Sequence, residues 1–187
     1  MELLKRAVAA VFDFLQGIVV ILAIMVMIYL FVMSPQEING QSMDPTFHNG
    51  EYILTNKIEF KLNNPNRGDV VIFKSPKNKD IDYIKRIIGL PGETVRLSKS
   101  KFYINGIMLD ELAYLEPTVY TSGGSYLSEN MEITVPEGQY FVAGDNRPHS
   151  SDSREFGPIA LEDLIGKAFL RYWPFDRWGV LPNPSYN

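Results

Sequence analysis

Residues 82–89 read "DYIKRIIG", a run dominated by isoleucine and tyrosine and bounded by an aspartate and a glycine. β-Branched and aromatic residues favour strands, whereas Gly, Pro, Asn and Asp favour the turns between strands. The sequence therefore predicts an all-β or mostly β domain. Runs of the same kind recur as "GDVVIF" (68–73), "TVRL" (94–97), "KFYING" (101–106), "EITVP" (132–136) and "QYFVAGD" (139–145).

Local turn signals refine this prediction. Asn105-Gly106, inside "INGIML", can adopt the positive φ angles of a type I′ turn, which predicts a β-hairpin. Residues 98–136 are more polar and richer in turn residues than their flanks, which indicates an insertion or small β subdomain. The segment "PIALEDLIGKAFLRYW" starts with Pro158 and predicts one short helix around residues 161–164.

Residues 14–33, "FLQGIVVILAIMVMIYLFVM", contain no charged side chain. About 20 apolar residues are needed to cross a hydrocarbon core about 30 Å thick, so this run predicts a transmembrane helix. A cleaved signal has an apolar region of only about 7 to 15 residues followed by small residues, so we expect this segment to remain as an anchor. A buried core helix is the alternative, but such helices usually carry a polar stripe.

The basic residues around the span predict its orientation. Lys5 and Arg6 precede it, and the next basic residue after it is Lys57. Because basic residues concentrate on the cytoplasmic side, we expect the N-terminus inside and a single pass through the cytoplasmic membrane. The predicted division is a cytoplasmic segment (1–13), the membrane helix (14–33) and an extracytoplasmic domain (34–187) that carries the insertion at about 98–136.

Composition excludes several classes of site. The 187 residues suffice for one medium domain, and the formal net charge of -4 comes from interspersed side chains of both signs. Without a basic patch or a zinc-finger-like cluster, nucleic acid is not an expected partner. The absence of cysteine excludes disulfides, thiolate metal sites and a cysteine nucleophile.

A hydrolytic site in such a chain needs a serine or threonine nucleophile, a base and an oxyanion donor. Ser42, in "GQSMDPTF" (40–47), follows the apolar span closely and begins a Met-Asp-Pro turn. The two histidines, His48 and His149, lie in polar segments, where a solvated side chain is the usual outcome. A Ser-His-Asp triad that uses His149 stays open as an alternative.

A lysine base requires burial. An exposed lysine has a pKa of about 10.4 and is protonated at neutral pH, but an apolar site can lower this pKa by about 3 to 5 units. Lys85 has strand-like apolar neighbours and should share one face with Tyr83 and Ile87. The polar loop that contains Lys74, Lys77 and Lys79 should instead leave these lysines solvated.

Three stretches resemble the motifs of one family, the bacterial type I signal peptidases, which are membrane-anchored Ser-Lys endopeptidases. They are "SMDPTF" (42–47), "RGDVVIF" (67–73) leading to "DYIKRIIGLPGE" (82–93), and "GDNRPHSSDSREFGPI" (144–159). With the apolar span they cover nearly the whole chain in the family's order and spacing. The resemblance implies a mostly β fold, with a single N-terminal transmembrane helix, an antiparallel β-sheet catalytic domain and a small β insertion.

The resemblance also implies roles for individual residues. Ser42 would be the nucleophile and Lys85 the general base, in a Ser-Lys variant of the triad. Ser150 matches the serine whose hydroxyl binds and orients the lysine amine. Asp152 and Arg154 match the charged pair that holds this loop. Asp145 and Arg147 fall in the same motif, and their interpretation as turn residues of a salt-bridged loop is compatible with a supporting role.

Two positions depart from the family pattern. The backbone N–H of Ser42 would be one oxyanion donor, but Gly40 stands where some members carry a serine hydroxyl as a second donor. Relatives from Gram-positive-like bacteria also have glycine there, so Gly40 is no sign of inactivity, and the second donor is left open. Pro148-His149 replaces an Asp-Asn pair of some members without changing the supporting residues.

Substrate contacts follow from the same resemblance. The small residues of an Ala-x-Ala-like motif would enter shallow apolar pockets, and an extended peptide would pair with the strand edge at residues 82–84. For the apolar pocket positions, ordinary core packing is the alternative. The pocket positions are Ile38, Met43, Ile72, Tyr83 and Ile84, and Asp82 belongs to the strand edge. The aromatic cluster of Trp173, Phe175 and Trp178 suits either a core or a membrane interface.

The predicted function is that of a serine endopeptidase which removes N-terminal signal peptides at the outer face of the cytoplasmic membrane through an acyl-enzyme. The resemblance implies no metal, no cofactor and a monomeric catalytic unit, with signal peptides of exported precursors and membrane lipid as partners. A catalytically silent, membrane-anchored β-domain that binds exported peptides is the alternative. Self-cleaving repressors of the SOS type share the Ser-Lys core fold but carry a DNA-binding helix-turn-helix instead of a membrane span.

Overall fold

A computed structural model describes residues 1–182, Pro184 and Tyr186. The chain starts with one long helix, α1 (Glu2–Phe31), none of whose residues is buried against the rest of the protein. By length and composition α1 is able to cross a membrane. It starts earlier than the predicted span because residues 2–13 are mostly good helix formers, and it ends at Phe31 because Met33 already belongs to a strand.

Strands are the main regular secondary structure of the remaining described residues, which confirms the mostly β prediction. Helical segments are short: α2 (Glu59–Leu62), α3 (Ser153–Phe156) and 3₁₀ turns at Arg147–His149, Leu161–Asp163 and Phe175–Arg177. The strands of the described residues are β1 (Met33–Glu37), β2 (Tyr52–Asn56), β3 (Val70–Lys74), β4 (Asp82–Gly89), β5 (Thr94–Ser98), β6 (Lys101–Ile104), β7 (Ile107–Met108), β8 (Glu132–Thr134), β9 (Gln139–Ala143), β10 (Ile159–Ala160), β11 (Leu164–Trp173) and β12 (Gly179–Val180).

The larger sheet has the order β1-β2-β11-β3-β4-β9-β10, with β12 beside β11, and its pairs are antiparallel, as predicted. On one side β4 pairs with β3 from Asp82 to Arg86. On the other side its pairing with β9 begins only at Arg86. Residues 82–85 therefore keep one edge without a strand partner among the described residues.

The smaller sheet has the order β7-β6-β5-β8 and extends from residue 94 to 134. Its β6–β7 hairpin turns at Asn105 and Gly106, whose φ angles are 51° and 81°. The predicted hairpin is thus confirmed. The connection from β7 to β8 passes over the loop after β9, where the N–H groups of Tyr126 and Leu127 donate to Arg154 O at 2.9 and 3.0 Å.

A buried apolar cluster joins the two sheets, and a second cluster supports the loop after β1. Phe102 of the smaller sheet and Phe141 of the larger sheet are fully buried and meet edge to face, with ring centroids 5.9 Å apart. Their cluster also contains Ile88, Val95, Leu97, Ile104, Leu109, Leu127, Val135 and Ala143. A second cluster lies beneath the loop that follows β1 and consists of Ile38, Met43, Phe47, Ile53, Val70, Ile72 and Ala168.

The short helix predicted around residues 161–164 forms at that place as a single 3₁₀ turn rather than an α-helix. The turn comprises Leu161–Asp163, and the chain then continues as β11, the longest strand described. β11 pairs with β2, β3 and β12, with register shifts that disturb the simple alternation of apolar residues. Tertiary pairing overrides the local helical pattern here.

We predict that Phe141→Ala lowers the free energy of unfolding by about 3 to 5 kcal/mol, because it leaves a cavity between the two sheets. Urea denaturation of the full chain in detergent measures this loss. Leu112→Ala is the control, since Leu112 is 65% exposed, and should change stability by no more than about 0.5 kcal/mol. Equal stabilities of the two variants would contradict the packing of the sheets.

Candidate active site

Ser42 and Lys85 are far apart in the sequence and meet in the fold. A hydrogen bond of 2.7 Å joins Lys85 Nζ to Ser42 Oγ, and the amine also donates to Ile84 O at 2.8 Å. Lys85 is only 4% exposed. A neutral amine at this distance can accept the hydroxyl proton, so the arrangement is suited to activating a serine nucleophile.

Ser42 lies in the loop between β1 and β2, and contacts on two sides hold this loop in place. Met43 and Phe47 are buried beneath it, and Phe47 N–H donates to Met43 O at 2.9 Å. From the opposite side Asn146 donates its main-chain N–H to Ser42 O at 3.1 Å and its side-chain amide to Gln41 O at 2.9 Å. The backbone of Ser42 is thus fixed where its side chain lines an open cleft.

Burial sets the protonation of Lys85. In the sheet Lys85 stands opposite Val71, and its amine lies 5.2 Å from the centroid of the Tyr83 ring, on the shared face that strand alternation predicts. Burial lowers the pKa of Lys85 to about 8, although the carboxylates of Asp152 and Asp145 oppose the shift. An appreciable fraction of the amine is therefore neutral near physiological pH.

Ser150, Asp152 and Arg154 lie together, but the bond made by Ser150 differs from the one that the resemblance implies. Ser150 Oγ donates to Asp152 Oδ2 at 2.7 Å, and no hydrogen bond joins it to Lys85 in the part of the chain that the structure describes. Asp152 also accepts two 2.8 Å bonds from the Arg154 guanidinium and the Gly144 N–H at 3.0 Å. Burial alone would raise the pKa of Asp152, but these bonds outweigh it and hold the pKa below its ordinary value.

Two further buried ion pairs brace the same loop. Arg86, the neighbour of Lys85, donates to the Asp145 carboxylate at 2.9 and 2.6 Å. Arg147 donates to Gly144 O at 2.8 Å and pairs with Glu111 of the β7–β8 connection. Salt bridges therefore join the loop of residues 144–154 to β4 of the larger sheet and to the connection between β7 and β8.

Gly144 and Glu111 are site residues that sequence reasoning misses. A β-carbon on Gly144 would overlap with Ser42 O and Ser150 Oγ, so only glycine fits between the two loops. Its place at the start of the third family-like stretch is a usable sequence signal. Glu111 lies in the polar segment 98–136 with no local pattern that marks it, because its partner Arg147 is reached only through the tertiary fold.

The main-chain N–H group of Ser42 has no hydrogen-bond acceptor among the described residues, so it is available to a bound carbonyl oxygen. The Gly40 N–H instead donates to Asn49 Oδ1 at 2.7 Å. Gly40 has a φ of 112°, which favours glycine, and it lines the cleft without a hydroxyl. The second donor therefore stays open.

A cleft of about 580 Å³ opens beside Ser42 and Lys85. Residues 36–42 and residues 80–85 line it together with His149 and Ser151. Five of the predicted substrate contacts are among its lining residues, namely Ile38, Ile72, Asp82, Tyr83 and Ile84. Met43 is not, because it is buried in the cluster below the Ser42 loop.

Neither histidine is bonded to Ser42 within the described residues. His48 Nδ1 lies 2.5 Å from Asp44 Oδ1 on the exposed side of the turn. His149 lines the cleft, and its main-chain N–H donates to Asn146 O at 3.0 Å. The geometry therefore favours the lysine as base over a histidine triad.

Comparison with known proteins gives matches over most of the chain. Residues 11–173 match the family model described as signal peptidase, peptidase S26. The chain is 35% identical over 184 residues to signal peptidase IB of Staphylococcus aureus, covering 92% of this chain and 95% of that protein. It is 39% identical over 160 residues to a probable signal peptidase I-2 of Synechocystis sp., with coverages of 83% and 70%. A crystal structure of a signal peptidase I from Enterococcus faecalis matches with 36% identity and a TM-score of 0.46, covering 56% of this chain and 97% of that one.

We predict that the Lys85 amine titrates with a midpoint near 8, well below the value of about 10.4 for exposed lysines. NMR titration of the lysine amines in the full chain measures this, and the spectrum of Lys85→Met identifies the signal. A Lys85 signal that titrates with the exposed lysines would contradict the burial argument.

The same shift gives a stability prediction. Between pH 8 and about 10.4 the unfolded chain binds more protons at this lysine than the folded chain, so the contribution of Lys85 to stability rises with pH. From pH 7 to pH 10 the wild type should therefore gain about 2 to 3 kcal/mol relative to Lys85→Met. Denaturation of both proteins at the two pH values measures the difference, and a constant difference would contradict it.

Proposed function

Because the chain belongs to the signal peptidase family, peptidase S26, we propose that it cleaves signal peptides with Ser42 as nucleophile and Lys85 as general base. Family membership gives the coarser activity, which is removal of signal peptides from precursor proteins. The observation that carries the finer proposal is the 2.7 Å bond between a buried lysine amine and a serine hydroxyl at the edge of a cleft.

The proposed reaction proceeds through an acyl-enzyme. Neutral Lys85 takes the proton of Ser42 Oγ as the oxygen attacks the scissile carbonyl, whose oxygen becomes an oxyanion beside the Ser42 N–H. When the tetrahedral intermediate collapses, the C–N bond breaks and the Lys85 ammonium gives its proton to the leaving amine. Neutral Lys85 then takes a proton from water, the resulting hydroxide attacks the ester, and Ser42 recovers its proton as it leaves.

Ser150, Asp152 and Arg154 are proposed as support rather than as reacting groups. Asp152 accepts hydrogen bonds from Ser150, Arg154 and Gly144 at once. In this arrangement Asp152 fixes the loop that carries Asn146 against the Ser42 backbone. The proposed role of these residues is to hold the nucleophile and the base at hydrogen-bond distance, because a small displacement of either group would lower the reaction rate.

The cleft supports binding of an extended peptide. The edge of β4 at residues 82–85 has main-chain groups free of a strand partner among the described residues, and it faces the segment 36–42 across the cleft. A peptide that enters in extended form can add to this edge, as in strand addition. Ile38, Ile72 and Ile84 then offer apolar surface to the small residues before the cut.

The proposed location is the outer face of the cytoplasmic membrane. With α1 as the span, the exposed Lys5 and Arg6 favour a cytoplasmic N-terminus and a single pass. The division into a cytoplasmic segment (1–13), a span and an extracytoplasmic domain belongs to the same proposal, with the helix of the span ending at Phe31 and not at the predicted residue 33. Trp173, Phe175 and Trp178 are exposed and suit contact with lipid headgroups. A monomeric unit is proposed because Ser42 and Lys85 come from one chain.

The decisive test is cleavage of a purified precursor by the full chain in detergent. We predict that Ser42→Ala and Lys85→Met each lower kcat/KM by about 10⁴-fold or more, since nucleophile and base act as a unit. Ser98→Ala and Lys101→Met, in the smaller sheet, are matched controls that should cleave like the wild type.

Unchanged cleavage in the two site variants would refute the proposed dyad. If the wild type binds precursor but never cleaves it, the protein is instead the catalytically silent peptide-binding domain. Binding of precursor to Ser42→Ala, measured in parallel, separates loss of chemistry from loss of binding.

Gly144 allows a second test of the site. We predict that Gly144→Ala lowers kcat/KM by about 100-fold, because the new methyl group pushes apart the Ser42 and Ser150 loops. Gly179→Ala is the control, since no atom lies within 4 Å of its added carbon. Circular dichroism should show the same fold for both variants, and wild-type activity of Gly144→Ala would show that the loops need not touch.

A further inference from the structure

The membrane helix joins the sheet without a linker. α1 ends at Phe31, and Val32 still has helical angles, with its N–H donating to Ile28 O at 2.8 Å. Met33 is already the first residue of β1 and pairs with Asn56. No flexible segment therefore separates the helix from the domain that carries Ser42.

Lys57, which follows β2, binds the end of the helix. Its main-chain N–H donates to Val32 O at 2.8 Å. Its amine donates to Tyr29 O and Leu30 O, each at 3.3 Å, and lies 5.7 Å from the Tyr29 ring centroid. The last turn of α1 has no basic residue of its own. Lys57 thus supplies both hydrogen bonds and positive charge where helix carbonyls lack partners and the helix dipole is negative.

From this junction β1 is a stiff spacer toward the active site. All five of its residues pair with β2, and the pairing continues through Ile38, which bonds to Glu51 O and accepts from Gly50 N–H, both at 2.8 Å. At about 3.3 Å per residue, Met33 to Glu37 spans about 13 Å. Ser42 follows after one short turn, so its distance from the end of α1 is set by paired backbone.

We propose that Lys57 is a positioning residue that locks the catalytic domain to the end of α1, so that the height of Ser42 above the membrane selects the bond to be cut. This inference rests on the proposed function. It adds a second criterion for the cleaved bond, its distance from the membrane, to the fit of the neighbouring residues in the pockets. A precursor held in the bilayer by its apolar segment presents each following bond at its own height. Small residues are common beyond such segments, so pocket fit alone leaves several candidate bonds.

The test compares full-length variants reconstituted in vesicles of phosphatidylcholine and phosphatidylglycerol. One set of substrates is a precursor whose Ala-x-Ala motif is moved residue by residue away from its apolar segment, and the other is a short soluble peptide with the same motif. The variants are Lys57→Met, the conservative Lys57→Arg, and Lys61→Met as control. Lys61 lies on neighbouring α2, is exposed, and makes no side-chain hydrogen bond among the described residues.

We expect Lys57→Met to lower kcat/KM at the preferred spacing by about fivefold, a factor that corresponds to loss of a cation at a helix C-terminus. We also expect kcat/KM of this variant to depend less on the spacing between the apolar segment and the motif. Cleavage of the soluble peptide should not change, Lys57→Arg should restore the sharp profile, and Lys61→Met should match the wild type. A spacing profile of Lys57→Met identical to that of the wild type, or an equal loss on the soluble peptide, would overturn the proposal. Failure of the wild type to cleave either substrate would instead refute the proposed function.

Discussion

Burying a charged lysine amine costs free energy, so burial favours the neutral amine. In this protein the buried amine is that of Lys85, which β4 places in hydrogen-bond contact with Ser42. Two carboxylates near it, Asp152 and Asp145, stabilise the ammonium form and so raise the pKa of Lys85. Arg86 and Arg154 neutralise them with bonds of 2.6 to 2.9 Å. The Arg154 guanidinium opposes the effect of these carboxylates and helps to keep the pKa of Lys85 low.

Arginines of the loop of residues 144–154 also link the site to the segment that contains the smaller sheet. Buried ion pairs contribute little net stability compared with apolar packing, but removal of one partner is costly and their geometry is specific. Arg147 joins the Ser150 loop to Glu111, and Arg154 reaches Ser122 O at 2.9 Å in the same connection. The segment 98–136 therefore helps to hold the loop of residues 144–154 in place.

The parts of this arrangement that depend on local chemistry were predictable. The apolar run before Ser34, the Asn105-Gly106 turn and the apolar neighbours of Lys85 each carry their meaning in a few adjacent residues. The bond from Ser150 to Asp152, the contact of Gly144 and the reach of Lys57 to α1 depend on segments that meet only after folding. The sequence did not indicate β11 either, because this strand follows a short helical segment and is defined by its pairing with three other strands.

The free edge of β4 has a further consequence for the proposed binding of peptides beside Ser42. A chain can complete this edge only if about four successive residues are extended and offer their own unpaired main-chain groups. Helices and interior strands of a folded domain have none to offer. In the proposed function, the missing strand therefore acts as a conformational filter, which admits unstructured segments and excludes most segments of domains that have finished folding. Short length and the Lys74–Asp82 ion pair at its start also limit this edge as a site of self-association.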